Sequence, residues 1–340
     1  MTRGKDSGER VRLAHGAGGK AMRELIESVF LAGVDDPAER AMDDGAVLPL
    51  GDRFLVLTTD AHVVMPPFFP GGDIGRLSVC GVVNDLAMMG ACDVLGLTSS
   101  VILEEGFPIE SLRRIQRSVQ AACAEADTRV VTGDTKVMQK GEIDGIVIST
   151  SGVAIADRVV KDSGLQPGDA IIVTGTLADH GLAVLSARHS LGLEGELRSD
   201  VAPLNGLIRA ALGAAGSWLH ALKDPTRGGV TSALVEMAEK ARVSISVDQR
   251  ALPLSDPARA AAELLGIDPL SVANEGKALL GVDPQGVEAV LAALHAHPLG
   301  AKAARIGRVT AGEPGAVFLD TGFGSRRLVE RDDSPLPRIC

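Results

Sequence analysis

Residues 68–91, FFPGGDIGRLSVCGVVNDLAMMGA, decide how the rest of the chain is read. A Pro/Gly turn delivers Asp73, whose short carboxylate suits a helix N-cap, and from Asp73 to Gly90 the residues are apolar almost all round. A helix of that composition is enclosed by other elements rather than laid on a surface. Asn84 and Asp85 then stand out, because a carboxylate inside such a helix is costly unless it is paired or binds a cation. Both readings of Asp85 stay open here: a buried hydrogen-bond partner, or a metal ligand.

Working outward, strand patterns precede and follow this helix. RFLVLTTD (53–60) leads into it; VLGLTSSVIL (94–103), a helix over 108–127, and strands TRVVTGD (128–134) and IDGIVISTSGVAIA (143–156) come after it. SGLQPGD (163–169) is a turn cluster suited to a domain junction. Beyond it lie strand AIIVTG (170–175), helical stretches 179–192, 203–215 and 229–242, strand VSISVD (243–248), a helix near 257–266, strand ALLGVD (278–283) and helix VEAVLAALHAH (287–297). The expected fold class is α/β, of the α+β type, in two domains: residues 1–164 and 165–330, with a flexible tail over 331–340. At 340 residues each half can bury its own core.

Composition narrows the function classes. A formal net charge of -10 repels phosphate backbones, and Trp218, seven Phe and no Tyr leave little to stack on bases, so nucleic acid is not an expected partner. The first ten residues are polar and no run of ~18 apolar residues follows, so we expect a cytoplasmic protein that does not span a membrane. Of the cysteines, Cys80, Cys92 and Cys123 sit in apolar stretches and read as core packing. Cys340 is the last residue of PLPRIC, and a prenylation box would need its cysteine fourth from the end.

Several short motifs carry polar chemistry. HGAGGKAM (15–22) places Gly16, Gly18 and Gly19 where backbone N–H groups can approach a phosphate, although Ala21 replaces the Ser or Thr of a Walker loop, and a plain turn is the alternative. Asp43 and Asp44 fall in a turn, Asp60 ends one strand, and Asp134 ends another ahead of Thr135 and Lys136. Together with Asp85 they are candidates for a magnesium site, or separately for caps and turns. Arg227 beside Gly228 and Gly229 suits an anion-binding helix start or a solvated turn. Glu275, between Asn274 and Gly276, is by default a turn carboxylate. His295 and His297 read as solvated or capping.

Taken in order, HGAGGK, MDDGAVLPL, TTDAHVV, the 68–91 helix, VVTGDTKV, GDAIIVTGTLADHG, DPTRGGV, VANEGK and terminal PRIC resemble the HypE family of hydrogenase maturation factors, from residue 15 to residue 340. That family lies in the superfamily of aminoimidazole ribonucleotide (AIR) synthetase and selenophosphate synthetase. The resemblance implies a two-domain, PurM-like fold that forms a homodimer through a barrel-like core. It also implies ATP-dependent dehydration of an S-carboxamide on Cys340 to a thiocyanate. The carbamoyl group would come from a HypF-like carbamoyltransferase, and the cyano group would pass to a HypC–HypD complex as the cyanide ligand of the nickel–iron hydrogenase.

For the site, the resemblance implies ATP and Mg2+ as cofactors and Asp44, Asp60, Asp85 and Asp134 as metal ligands. Gly16, Gly18, Gly19, Asp44, Asn84, Gly133, Asp134, Thr135, Lys136 and Arg227 would lie around the nucleotide. Glu275 is the first choice of base, with Lys136 stabilising the developing phosphate or sharing the proton transfer. Pro335 and Pro337 favour an extended arm of ~3.1 Å per residue, roughly 20 Å over the last seven residues. The rival readings are a selenophosphate-forming relative, which would carry a reactive Cys or selenocysteine in the Gly-rich segment where HGAGGK has neither, an AIR-synthetase-like purine enzyme, which has no evident need of a terminal cysteine, and a non-enzymatic carrier whose thiol holds a group made elsewhere.

Overall fold

The computed structural model describes residues 10–36, 40–193 and 197–328. Cys340 and the proline arm therefore lie outside the described residues. Helix α1 (Lys20–Leu25) runs into a π turn over Ile26–Phe30. The first sheet follows, built from β1 (Ala46–Leu50), β2 (Arg53–His62), β5 (Asp93–Glu104), β6 (Val130–Met138) and β7 (Ile146–Ala156) in the order β1-β2-β7-β5-β6. A small ribbon, β3 (Phe68–Phe69) with β4 (Gly72–Asp73), leads into the helix α2 (Ile74–Met88). Within the first sheet all pairings are antiparallel except β5 with β6, which are joined by the crossover helix α3 (Ile109–Glu125).

Helix α2 is enclosed, as its composition demands. Asp73 caps it by accepting from the N–H groups of Gly75 and Arg76 at 2.9 and 3.0 Å, and every α2 residue except Arg76 and Asp85 is buried. It packs on β2 and β7 from one side and on α3 from the other. Helix α3, by contrast, is striped: Ile115, Val119, Ala122 and Cys123 face inward at helical spacing.

The second sheet contains β8 (Ala170–Val173), β9 (Leu219–Lys223), β10 (Ser244–Asp248), β11 (Leu279–Val282), β12 (Ala304–Thr310), β13 (Val317–Asp320) and β14 (Ser325–Leu328), ordered β14-β13-β10-β12-β8-β11-β9. Helices α4 (Asp179–His189), α5 (Asn205–Ala215), α6 (Gly229–Ala241), α7 (Asp256–Leu265) and α8 (Val287–His295) complete this half. Strand β8 is apolar at every position because both faces are covered. Ile171 and Val173 join the cluster that includes Val230, Leu234 and Met237 of α6, whereas Ala170 and Ile172 join Leu207 and Ile208 of α5 and Val290 and Leu294 of α8. Ala87, Met88 and Cys92 belong to that second cluster, so the C-terminal end of α2 is packed into both halves of the chain. Cys80, Cys92 and Cys123 are buried and unbridged.

Four differences from the sequence reading bear on the site. The strand expected over 128–134 continues to Met138, which puts Asp134, Thr135 and Lys136 inside β6 rather than in a loop after it. Strand β1 was not expected, nor was β9, whose LHALK carries good helix formers yet pairs with β11. Strands β12, β13 and β14 were also missed; each carries charged residues that interrupt the apolar pattern of a strand.

Candidate active site

On β2, Thr58, Asp60 and His62 alternate and so share a face, while Gly81 and Asp85 lie four apart on one face of α2. The two faces meet. A Cβ on Gly81 would stand 2.7 Å from His62 Nε2, so glycine permits this approach of helix to strand. Thr58 Oγ1 donates to Asp85 Oδ2 at 3.0 Å, and His62 Nε2 lies 3.2 Å from Asp60 Oδ2. Asp44 arrives from the turn before β1, Lys223 and Asp224 from the end of β9, and Arg227 from the loop entering α6. With Gly18, Gly19, Glu236, Lys240 and Glu275, these residues line one cavity of about 730 Å³.

The charges in this cavity are strongly coupled. Burial pushes the Asp85 carboxyl well above the usual range, and the negative charges of Asp224, Asp44 and Asp60 push it further. Asp224 is raised to about 7, by burial first and then by Asp44. Burial also acts on Asp60, but its hydrogen bond and charge contact with His62, helped by Arg227, hold it below the ordinary value. Lys223 Nζ is 2.9 Å from Asp44, 3.3 Å from Glu236 and 3.6 Å from Asp162. Burial opposes its charge, yet these acids and Asp224 outweigh that and keep the ammonium ionised. A second lysine, Lys240, donates to Asp162 at 2.7 Å, and Lys161 pairs with Asp43 at 2.6 Å.

Of the fourteen expected site residues, seven meet here and the other described ones do not. Asp44, Asp60, Asp85, Gly18, Gly19, Arg227 and Glu275 all reach the cavity wall. Gly18 lies directly against Arg227, since a Cβ on it would be 3.0 Å from the Arg227 Cβ. Gly16 sits one turn earlier, in the 3-10 segment Leu13–Gly16, and does not line the cavity. Asn84 does not line the cavity. Its amide is 2 % exposed and faces protein, with Nδ2 donating to Ala202 O and Glu275 O at 3.2 and 3.0 Å and Oδ1 accepting from Leu204 N–H at 2.8 Å.

Gly133, Asp134, Thr135 and Lys136 lie on β6, away from the cavity within this chain. The row from Asp60 runs through Thr150 and Ser99 to Gly133, three ladder steps of ~4.8 Å, or about 14 Å. Sequence reasoning missed Lys223, Asp224, Glu236, Thr58 and His62. A usable signal existed for the first two: adjacent opposite charges at the end of an apolar segment, just before PTRGG. Histidines 295 and 297 are structural, the first with Nε2 2.9 Å from Ala303 O, the second accepting from Leu299 N–H at 3.2 Å.

A second polar group lies beside Asp200. His180 is fully buried, its Nδ1 2.8 Å from Ser199 Oγ and its ring edge-on to Phe69. Burial pushes its pKa down to about 4, against a smaller upward pull from Asp200. A depressed value means the neutral ring contributes stability that is present above pH ~6.5 and lost as pH falls towards 4. We expect the advantage of the wild type over His180→Gln to shrink across that window by on the order of 3 kcal/mol in urea unfolding. Parallel pH profiles for the two proteins would refute this.

Known proteins resemble this chain along nearly its whole length. The N-terminal domain of AIR synthase related proteins matches residues 42–156, and the C-terminal domain of the same proteins matches residues 166–320. Carbamoyl dehydratase HypE of Rhizobium leguminosarum bv. viciae is 46% identical over 334 residues, covering 97% of this chain and 95% of that protein. A crystal structure of a HypE–HypF complex matches with a TM-score of 0.85 and 42% identity, over 90% of this chain and 99% of that one. A crystal structure of HypE in complex with ATP matches with a TM-score of 0.81 and 39% identity, over 96% and 99% of the two chains. With both domains matched and relatives this similar along nearly its whole length, the chain belongs to the carbamoyl dehydratase HypE family.

Proposed function

We propose that this chain is an ATP-dependent carbamoyl dehydratase that converts an S-carboxamide on its own Cys340 into a thiocyanate, the source of the cyanide ligand of nickel–iron hydrogenase. The observation that carries this reading is the meeting of Asp44, Asp60 and Asp85 in one cavity with Glu275 on its wall. Three carboxylates whose mutual repulsion is only partly relieved by protein groups suit a hard divalent cation with oxygen ligands, which is the chemistry of Mg2+. Bound there, magnesium would neutralise charge on the ATP phosphates.

The residues then divide the work. The carboxamide oxygen is a poor leaving group, so it attacks the γ-phosphorus of ATP, breaking the bond to the β-phosphate and releasing ADP. The C–O bond then breaks to release inorganic phosphate while the nitrogen loses both protons, leaving S–C≡N. Arg227 and the backbone at Gly18 and Gly19 hold the phosphates. Glu275 takes one of the two protons and the departing phosphate the other, and in a closed site general-base help of this kind is typically worth ~10²–10⁴-fold.

A homodimer accounts for β6. Eight of its nine residues are exposed, Val131 and Val137 at 55% and 64%, and the strand is an outer edge with unpaired backbone groups. Pairing of first sheets between two copies would cover that edge and bring Asp134 and Lys136 of the second copy to the cavity, where Asp134 adds a carboxylate and Lys136 steadies the departing phosphate. A HypF-type carbamoyltransferase loads the thiol, in keeping with the matched HypE–HypF complex, and a HypC–HypD complex accepts the cyano group. Two domains, residues 1–164 and 165–330, carry the tail 331–340 between these stations.

Intact-protein mass spectrometry tests the reading. The full chain, carbamoylated on Cys340 with cyanate, should lose the mass of one water on addition of ATP and magnesium; a carbamoyl mass unchanged by ATP would identify a carrier instead. Glu275→Gln should bind ATP normally and slow that loss by roughly 10²-fold or more. Thiocyanate formation at the wild-type rate would remove Glu275 from the role of base.

A further inference from the structure

We infer that Asn84, Asp200 and Lys277 form a clamp that positions Glu275, so that the base is set by the same helical turn that carries Asp85. This rests on the reading of Glu275 as the base. Glu275 lies in the turn between Asn274 and Gly276, where a loop carboxylate would ordinarily be free to wander. Here both of its main-chain polar groups are taken by side chains. Its N–H donates to Asp200 Oδ1 at 3.1 Å, and its carbonyl accepts from Asn84 Nδ2 at 3.0 Å.

Each jaw is itself fixed. Asp200 Oδ2 is 3.1 Å from Lys277 Nζ, with the two side chains 4% and 10% exposed, and Lys277 Nζ also donates to Gly276 O at 3.2 Å. Gly276 fits because a Cβ there would run into the Asp200 carbonyl. Asn84 is held at its other end by Leu204 N–H, and it precedes Asp85 directly in α2. On the far side, Asn274 is tied to Pro225 O, Val272 O and Ala178 N–H. A turn held at this many points has one arrangement, and Glu275 keeps one distance to the carboxylates opposite.

A buried ion pair is not by itself a stabiliser, since desolvation of both charges offsets most of their attraction. Its presence behind a reactive carboxylate is better accounted for by positioning. Misplacement of a catalytic group by about 1 Å can cost on the order of 10²-fold in rate while leaving substrate binding alone.

The test uses the full-length chain, S-carbamoylated at Cys340 with cyanate, in single turnovers with ATP and magnesium chloride. Asp200→Ala combined with Lys277→Met removes the grip without stranding a charge. Asp200→Asn combined with Lys277→Met removes the ion pair but keeps an oxygen to accept from Glu275 N–H. The first pair should slow thiocyanate formation at saturating ATP by roughly 10²-fold with half-saturation by ATP unchanged, and the second should recover most of that rate. Asn84→Ala, which frees the other end of the same residue, gives an independent handle with the same rate-only loss expected.

On the Glu275→Gln background the alanine pair should add little, because the positioned group is already gone. A full additional loss on that background, or wild-type rates in both clamp variants, overturns the clamp and leaves the base assignment standing. Wild-type rate in Glu275→Gln itself overturns the base assignment, and a slow clamp variant beside it would show that Asp200 acts elsewhere.

Discussion

Asp85→Asn should make the ligand-free protein more stable while reducing ATP-dependent thiocyanate formation by roughly 10³-fold, about 4 kcal/mol of transition-state stabilisation. The two effects have one origin. Burial and the charges of Asp224, Asp44 and Asp60 already disfavour ionised Asp85, so an amide of the same shape relieves a repulsion the folded chain otherwise carries. Thr58 Oγ1 still finds an acceptor in the amide oxygen, so the contact of β2 with α2 survives. What is lost is a carboxylate facing the phosphates. Differential scanning calorimetry with and without magnesium and ATP reads the first effect, and single turnovers read the second. A lower Tm than wild type in the absence of ligand would contradict the electrostatic account, and a rate within tenfold of wild type would remove Asp85 from the metal set.

Lys223→Met should have the opposite signature, lowering stability by about 3–5 kcal/mol. Lys223 Nζ lies within 4 Å of Asp44, Asp162 and Glu236, and its side chain is only 10% exposed. Removing the ammonium leaves those carboxylates buried and short of a partner, with Lys240 remaining to Asp162. The pH dependence follows from the sign of that defect. Burial raises the Asp162 carboxyl and Lys223 holds it down, so without that ammonium the folded variant takes up a proton there more readily than its unfolded chain and regains stability as pH falls. The deficit in urea midpoint should therefore be smaller at pH 5 than at pH 7. A deficit that is constant with pH would mean that lost packing, rather than stranded charge, destabilises the variant.

How far the site could be read beforehand depended on the kind of interaction involved. Asp73 and the near-continuous apolar run behind it specify an enclosed helix locally, and α2 agrees with that reading to within two residues at its C-terminal end. The same reasoning marked Asp85, since the cost of burying a carboxylate is a property of its immediate neighbours. The partners of Asn84 were not legible for a related reason. One strand of sequence shows that a buried amide needs partners but not which ones, and here they are the backbones of residues 202, 204 and 275, more than a hundred positions away. Lys223 was overlooked because β9 itself was overlooked: LHALK becomes a strand only when β11 offers it a ladder.

The amino-acid sequence by itself determined the alternation of strands and helices, the apolar character of α2, and, through an ordered set of motifs, the family. Those features rest on composition and short-range periodicity. Tertiary structure alone decided that Asp44, Asp60 and Asp85 share a cavity, that Lys223 stands among them, that Glu275 is gripped by Asn84 and Asp200, and that Asp134 and Lys136 lie on an outer strand about 14 Å along the sheet from Asp60. Convergence of this kind comes from register between strands and from helix-on-sheet packing, where residues far apart in the chain become neighbours through contacts that no local pattern encodes.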